Sequence, residues 1–137
     1  MKKPLTKFRS HCPITYALDI FGDKWSLLVI RDLMFMKKKY YSEFLEANEK
    51  VSTNILADRL SKLEAHNIIC KVEDKKKRTR FIYSLTPIGK DLLPMLLEMI
   101  EWSAKYDDKT GTPKQLINSI KNSKTILTEE ILSKLGK

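Results

Sequence analysis

The chain of 137 residues contains few of the side chains that usually build catalytic centres. Its four glycines are widely separated, so they cannot form the glycine-rich loop that cradles a phosphate. The two histidines, His11 and His66, are separated by most of a domain, and the sequence therefore places no general base beside a nucleophile. These gaps argue against an enzyme and against a bound cofactor.

Cysteine is also scarce, and Cys12 and Cys70 are the two that occur. Two cysteines this far apart are too few for a disulfide framework of the kind that staples small secreted domains. Together with the two histidines they could supply four zinc ligands, but their spacing matches no common zinc module. We therefore expect no metal site.

Long apolar runs are missing as well. No run approaches the roughly 18 residues that a membrane-spanning helix needs. The N-terminus also lacks the charged-then-apolar order of a secretory signal. We therefore expect a cytoplasmic protein without a membrane partner, whose cysteines are normally thiols.

Basic side chains, in contrast, are in excess. Lysine and arginine number 26 against 17 aspartates and glutamates, and the net charge of +9 favours an anionic partner. The excess is uneven: residues 71–80 hold six basic and two acidic side chains, and Lys37, Lys38 and Lys39 form a second cluster. Apolar residues make up 42% of the chain, enough for a real core in one domain of this length.

Residues 50–87 carry the most informative pattern. Leu56, Leu60 and Leu63 recur at helical spacing behind Ser52, a good N-cap, which predicts a helix from Ser52 to His66 after a turn over 47–51. A short strand around 68–72, a polar turn over 73–79 and a return strand over 80–85 follow directly. This order is typical of a winged helix-turn-helix, so we predict an α+β, mainly α fold that binds duplex DNA.

The outer face of the predicted helix carries small or hydrogen-bonding side chains, which can approach base edges in a major groove without steric obstruction. The basic row in the hairpin turn could be only a solvated tip, but beside such a helix phosphate contact is the better interpretation. The predicted DNA-binding residues are Lys37, Lys38, Lys39, Ser52, Thr53, Asn54, Ala57, Asp58, Ser61, Lys62, Lys75, Lys76, Lys77, Arg78 and Arg80.

Three further helices are predicted ahead of this region. Cys12-Pro13 opens the first, which ends at Gly22, where a left-handed cap is easy. The second runs from about 23 to 35, and Ser42 caps a short third helix. The apolar sides of these helices are predicted as Ile14, Ala17, Leu18 and Phe21, then Trp25, Leu28, Val29 and Leu33, then Phe44 and Leu45.

Thr86-Pro87 predicts the start of a long helix, which Pro94 should kink near Lys90. Its apolar set is wide enough to cover more than one surface, so one stripe could contact a partner subunit or a small effector, and contact with a partner subunit is the better interpretation. Packing of that stripe on the chain's own first helix is the alternative. The stripe consists of Met95, Met99, Trp102 and Tyr106.

Beyond this helix the sequence changes in character. Residues 107–113 form a polar, glycine-containing link, and two short helices are expected around 116–120 and 128–135. We divide the chain into a winged helix-turn-helix domain with its dimerisation helices, over 11–106, and a C-terminal helical extension, over 107–137.

Three spaced elements occur together: Cys12-Pro13-Ile14 with Leu18, Gly22, Lys24 and Trp25; Leu56 with Leu60 and Leu63; and Tyr83-Ser84-Leu85-Thr86 with Gly89. With this combination the chain resembles, over roughly residues 11–106, the HxlR-type family of bacterial winged-helix transcriptional regulators. Asn67 is a departure, because family members usually have glycine there, although asparagine tolerates the left-handed conformation that a helix end requires.

The resemblance implies a homodimer on a pseudo-palindromic operator. Two recognition helices would enter successive major grooves, two wings would contact flanking backbone or minor groove, and the N- and C-terminal helices would make the dimer. Residues 107–137 extend beyond the usual end of the family, so nothing is implied for them.

Some members of the family use the cysteine at the position of Cys12 to sense small electrophiles or oxidants. Cys12 is expected to be partly buried at a helix start, where the helix dipole and basic groups such as Lys7 or Arg9 would lower its pKa. A buried, inert cysteine is the alternative. Cys70 is expected to be shielded in its strand, with a structural role.

A winged helix also serves in RNA-binding and protein-interaction modules, which are the alternative functions. RNA binding would rely on exposed aromatic side chains for stacking. Phe81 and Tyr83 are predicted to face the core, which leaves Tyr40 and Tyr41 as the candidate stacking pair. A protein-interaction module would not need six basic residues around one hairpin.

Overall fold

The computed structural model of the chain describes residues 6–135. It is mainly helical with one antiparallel hairpin, as the sequence predicts, and it divides after Gly89 into two compact units. The predicted grouping of 11–106 with dimerisation helices concerns an assembled protein and stays a prediction. The last two residues of the predicted extension lie outside the described residues. The elements are α1 (Pro13–Phe21), α2 (Ser26–Phe35), α3 (Tyr41–Leu45), α4 (Thr53–Ala65), β1 (Ile69–Glu73), β2 (Phe81–Leu85), α5 (Pro87–Lys90), α6 (Leu93–Tyr106) and α7 (Lys114–Leu135).

Helix α4 of the first unit forms where the sequence predicts it. The hydroxyl of its N-cap, Ser52, accepts a hydrogen bond from a backbone N–H of the first turn at 3.3 Å. Leu56, Leu60 and Leu63 are at most 3% exposed, which confirms the predicted apolar stripe. The chain leaves the helix through Asn67, whose φ of 60° is the left-handed conformation that asparagine tolerates.

The hairpin that follows is the wing. Ile69 of β1 pairs with Leu85 of β2, and both are buried at its base. Phe81, which was predicted to face the core, is 41% exposed. It pairs with Glu73 at the end of the hairpin furthest from that base, so the alternation places it on the inner face but no core reaches it.

Helix α1 differs from its prediction at its surface and at its end. Ile14 and Leu18 are 70% and 51% exposed, so its apolar side is covered only near Phe21. Gly22 has a φ of −77°, and the left-handed cap expected there is wrong. The backbone N–H of Gly22 donates to the carbonyl of Leu18, which lets the last turn close in the right-handed conformation.

The next two helices begin at other residues than predicted, because acidic side chains cap them. The carboxylate of Asp23 accepts hydrogen bonds from the backbone N–H groups of Trp25 and Ser26, so α2 begins at Ser26. Ser42 lies inside α3 and is not its cap; Glu43 accepts from the N–H groups of residues 39 and 40 instead. Val29, Leu33 and Phe44 are buried as predicted, and Trp25, Leu28 and Leu45 are half-buried.

The long helix predicted from Pro87 is two helices. Helix α5 ends at Lys90 and α6 begins at Leu93. Pro94 therefore lies in the first turn of α6, where its missing N–H removes no helical hydrogen bond, and the predicted kink in a continuous helix is wrong.

The second unit consists of α6 and α7 with the polar link between them. Ile120 of α7 is 1% exposed, and Lys124 forms ion pairs with Glu98 and Glu101 of α6. Helix α7 is interrupted at Ser123, where φ is −149° and ψ is 50°. The region therefore contains two helical segments, as predicted, but they extend further than the predicted 116–120 and 128–135 and meet at this residue. No helix within residues 6–135 is long and apolar enough to cross a membrane.

Candidate nucleic-acid interface

The outer face of α4 is polar and open to solvent. The hydroxyl of Tyr41 donates to the carbonyl of Thr53 at 2.9 Å, which ties α3 to the first turn of α4. A helix fixed at this end can present its N-terminal half to a groove. Of the residues predicted to contact bases, Ser52, Thr53, Asn54, Ala57, Asp58 and Ser61 are exposed and Lys62 is half-buried.

Arg59 is a residue of this helix that sequence reasoning missed. Its guanidinium donates to the carboxylate of Asp23 at 2.8 Å and to that of Asp58 on the exposed face. Partial burial raises the pKa of Asp23, but hydrogen bonds from Ser26, Arg59 and the backbone of Trp25 outweigh it and lower that pKa to about 2. Arg59 thus anchors α4 to the start of α2 and holds the side chain of Asp58.

The tip of the wing consists of two consecutive turns that share Lys77. The N–H of Lys77 donates to the carbonyl of Asp74 at 3.2 Å, and the N–H of Arg80 donates to the carbonyl of Lys77 at 3.0 Å. These turns leave the basic row exposed. The exposed basic residues of the tip are Lys75, Lys76, Lys77 and Arg78.

Arg80 differs from its four basic neighbours. Its Nε donates to the carboxylate of Asp74 at 2.6 Å, and its guanidinium carbon lies 3.9 Å from the centre of the Tyr40 ring. The backbone N–H of Lys76 and the side chain of Arg80 lower the pKa of Asp74. The charge of Arg80 is therefore partly engaged by Asp74 within the wing and by Tyr40 before α3.

The cluster at 37–39 is divided between two roles. Lys38 is half-buried, and its ammonium lies 3.4 Å from the carboxylate of Asp32, which is 2% exposed and also pairs with Arg31. Lys37 and Lys39 are exposed. Two of the three lysines are thus open to a ligand, and the third stabilises a buried carboxylate.

A backbone hydrogen bond connects this cluster to the wing. The N–H of Tyr83 in β2 donates to the carbonyl of Lys39 at 2.8 Å. The ring of Tyr83 also meets Phe44 of α3 edge to face, with the centroids 5.9 Å apart. Both basic clusters therefore belong to one module within the first unit.

The two cysteines are both exposed, which contradicts the expected burial of each. Cys12 is the N-cap of α1, where the backbone N–H and the hydroxyl of Thr15, and then the N–H of Ile14, lower the pKa of its thiol. Arg9, which was expected to act on this thiol, pairs with Asp19 at 2.6 Å. Cys70 lies on the outer side of β1 with its Sγ 3.2 Å from Ser84 Oγ.

The stripe predicted to contact a partner is largely uncovered. Met99 is 46% exposed, Trp102 and Tyr106 are each 67% exposed, and Met95 is half-buried. The rings of Trp102 and Tyr106 lie 5.4 Å apart. Within residues 6–135 no three histidine, cysteine, aspartate or glutamate side chains are grouped so that they could hold a metal ion.

The chain is similar in sequence to proteins named as transcriptional regulators. The chain is 34% identical over 98 residues to the HTH-type transcriptional regulator YdeP of Bacillus subtilis, covering 72% of this chain and 76% of YdeP. It is 30% identical over 102 residues to the HTH-type transcriptional regulator YodB of the same organism, covering 74% of this chain and 90% of YodB.

Solved structures share the fold. The reduced form of YodB from B. subtilis matches with a TM-score of 0.58 at 28% identity, covering 75% of this chain and 100% of YodB. The redox regulator HypR in its oxidized form matches with a TM-score of 0.61 at 30% identity, covering 69% of this chain and 96% of HypR. These similarities agree with the helix-turn-helix and wing of the first unit.

A model of the HxlR-like helix-turn-helix family matches residues 20–111. The match includes α4, the wing and α6, and it begins after Cys12. The chain belongs to the HxlR-like helix-turn-helix family of transcriptional regulators.

Proposed function

We propose that the chain binds duplex DNA as a homodimer and reads a pseudo-palindromic operator through α4. The observation that carries this proposal is the exposed polar face of α4 within the same unit as the basic wing and the cluster at 37–39. The face of α4 is suited to base edges, and the wing and the cluster at 37–39 are suited to phosphates. In a specific DNA complex, base contacts select the sequence and phosphate contacts position the protein.

Sequence preference would come from the first half of α4. Asn54 can pair bidentately with adenine, and Asp58 can accept from the amino group of cytosine. Arg59 holds Asp58 and so limits the positions that its carboxylate can take. The smaller side chains at 53, 57 and 61 would allow close approach of the helix to the groove.

Affinity would come mainly from phosphate contacts. Lys75, Lys76, Lys77 and Arg78 of the wing, with Lys37 and Lys39, are duplicated in a dimer and could neutralise on the order of 6 to 10 phosphates. Each contact would contribute a slope of about −0.9 to the dependence of log affinity on log salt.

The proposed dimer uses apolar side chains that each unit leaves open. In the second unit these are Met99, Trp102 and Tyr106 with the half-buried Met95, and in the first unit Ile14 and Leu18 of α1. Exposed apolar groups of this size are typical of interaction surfaces. Half-sites one helical turn apart, roughly 34 Å, would match such a dimer.

Competition binding tests the proposal. Duplex DNA, hairpin RNA and a neutral polymer would each be titrated at two salt concentrations, and duplex DNA should bind best with a steep salt dependence. The RNA arm matters because Phe81 is exposed beside Tyr40 and Tyr41, as a stacking surface would be. Tighter binding of hairpin RNA would reject the DNA proposal, and failure to bind either nucleic acid would favour a protein-interaction module.

We also propose that Cys12 is the sensor of the regulator, and that its thiol reacts with a small electrophile or oxidant. Its thiol is exposed at a helix start with a lowered pKa, which favours the nucleophilic thiolate. YodB, a relative, has been solved in a quinone-bound form, and HypR is a redox regulator. Addition of the Cys12 thiolate to a ring carbon of a quinone would form a carbon–sulfur bond and break the carbon–carbon π bond. The negative charge would move to a quinone oxygen, which would take up a proton from water.

A titration decides this second proposal. Diamide or a quinone would be added to wild type, Cys12→Ser and Cys70→Ser while DNA binding is followed. Cys70 is exposed as well, so Cys70→Ser must respond as wild type does if Cys12 is the sensor. An unresponsive wild type, or a Cys12→Ser that still responds, would leave a small-ligand or constitutive regulator.

A further inference from the structure

Asp74 is a buried carboxylate in an exposed loop. It is 3% exposed, whereas residues 75–79, which follow it in the wing, are all exposed. A carboxylate is rarely buried unless hydrogen bonds and a partner charge compensate it. Its partners therefore show what the loop is built around.

Those partners close the loop on itself. One oxygen of Asp74 accepts from the N–H of Lys76 at 3.0 Å, and the other accepts from Nε of Arg80 at 2.6 Å. The backbone repeats the pairing, because the N–H of Asp74 donates to the carbonyl of Arg80 at 3.1 Å. Residues 74 and 80 thus form the last rung below the tip.

Tyr40 holds the other side of Arg80. The guanidinium carbon stands 3.9 Å from the ring centre, within the range of a cation–π contact. Tyr40 follows Lys39, whose carbonyl accepts the hydrogen bond from the N–H of Tyr83 in β2. The ring therefore joins the tip end of the wing to the segment that precedes α3.

We propose that Asp74 and Tyr40 are positioning residues that clamp Arg80, so that Arg80 orders the wing for its lysines to meet phosphates and does not itself contact the DNA backbone. This inference rests on the proposed DNA-binding function. It assigns to Arg80 a different role from that of the four basic residues at the tip.

The sign of one substitution separates the two roles. If Arg80 contacted a phosphate directly, Asp74→Asn would remove a negative charge beside the DNA and release the guanidinium, and binding should tighten. If Arg80 is a clamp, the same substitution should loosen the tip and weaken binding, although the protein has become more positive.

The experiment measures duplex affinity and its salt slope for wild type, Asp74→Asn, Arg80→Gln and the double variant. We expect each single variant to bind about five- to tenfold more weakly, within the usual range of coupling between a local ordering step and binding. The salt slopes of the two single variants should change alike. The double variant should bind duplex DNA no more weakly than either single variant. Amide hydrogen exchange of residues 76, 77 and 80 in the free protein should be faster in all three.

Glu73→Gln is the matched control. It removes the same charge from the neighbouring position, and Glu73 makes no ion pair within the described part of the chain. Binding should be unchanged or slightly tighter. If the Asp74→Asn variant does not fold, Tyr40→Leu is measured in its place. Tyr40→Phe is then the control, because it keeps the aromatic ring. Only the leucine variant should bind duplex DNA more weakly than wild type.

Two outcomes overturn the clamp: binding by Asp74→Asn that equals or exceeds wild type, or a slope reduced by about 0.9 per site in Arg80→Gln alone. A wild-type protein that binds no duplex at any salt overturns the proposed function itself. That result is seen in the first titration, before any variant is compared.

Discussion

Single residues of α4 carry the selectivity proposed for this regulator. Asn54 is exposed on the first turn, where a recognition helix meets base edges, and its amide offers a donor and an acceptor side by side. Asp58 lies one turn further and is held by Arg59, which is itself fixed to Asp23. Loss of either side chain should therefore change which sequence is preferred more than how tightly DNA is held.

We expect Asn54→Ala to relax selectivity at one position per half-site, at a cost of about 1 to 3 kcal/mol of discrimination. Selection from random duplexes followed by sequencing would measure it. Asn118→Ala, which changes an exposed asparagine of α7, is the control and should return the wild-type motif. A motif identical in all three proteins would show that Asn54 does not read a base.

Asp23 makes the stability of the first unit depend on acid. The pKa of Asp23 is about 2 in the folded protein, against an ordinary value of 3.8. The contribution of its carboxylate to the free energy of unfolding is therefore complete above about pH 4 and is lost as the pH falls towards 2. The thermal midpoint of the wild-type protein should drop between about pH 4 and pH 2. The midpoint of the Asp23→Asn variant should drop less, because asparagine has no carboxylate to protonate. Asp108→Asn, in the exposed link, should follow the wild-type curve; an identical curve for Asp23→Asn would refute the assignment.

Local residue roles could be predicted from the sequence, and distant pairings could not. The cap at Ser52 and the left-handed Asn67 depend on neighbours within a few positions. The pair of Asp23 with Arg59 joins residues 36 positions apart, and no periodicity marks it. Phe81 was misjudged because alternation tells which face a strand residue takes, but not whether anything covers that face.

Among the elements, the wing and the segment before α3 act together. The bond from Tyr83 to Lys39 and the contact of Arg80 with Tyr40 hold them side by side, although more than 30 residues separate them in the sequence. Under the proposed function, the two basic clusters, which look independent in the sequence, would contact one stretch of phosphate backbone.

Replacing Lys75, Lys76 and Lys77 together by alanine should weaken binding to all duplexes alike. The magnitude of the salt slope should fall by about 0.9 for each phosphate that the variant no longer neutralises. Titrations at several salt concentrations measure both effects. The control changes Lys114, Lys121 and Lys134 of α7, which alters the net charge equally but lies outside the unit that carries the wing. An unchanged slope in the wing variant would exclude the wing from DNA contact.

Element boundaries show where pattern reasoning reaches its limit. The positions of α4, β1 and β2 were predicted because leucine spacing and turn residues bracket them closely. The break between α5 and α6 was missed, since a proline can kink a helix or begin one and the sequence alone does not say which. The exposed side of α1 was missed for a related reason: an apolar stripe shows that something should cover it, not that this chain does.

At the scale of the whole molecule, the proposed dimer must form against electrostatic repulsion. A net charge of +9 on each copy opposes association, so the apolar contacts must outweigh that repulsion. Trp102 is the best candidate for a central contact, because tryptophan is enriched among residues that dominate binding energy and this one is 67% exposed.

Light scattering at micromolar concentration should give twice the mass of the chain. Trp102→Asp should shift the protein towards the monomer, weakening association by at least about thirtyfold if this residue is a dominant contact. Ile126→Asp, which places the same charge at an exposed apolar position of α7, should leave the mass unchanged. A wild-type monomer, with and without DNA, would contradict the proposed dimer.

The hydrogen bond between Tyr83 and Lys39 has a consequence for solubility. A projecting hairpin has two outer edges, and an unpaired edge is a template on which another chain can add a strand. The Lys39 carbonyl occupies the middle of the β2 edge, and the β1 strand carries Lys71 and Glu73, exposed charges of the kind that discourage such pairing. Both features disfavour the addition of a strand from another copy to the edges of the hairpin.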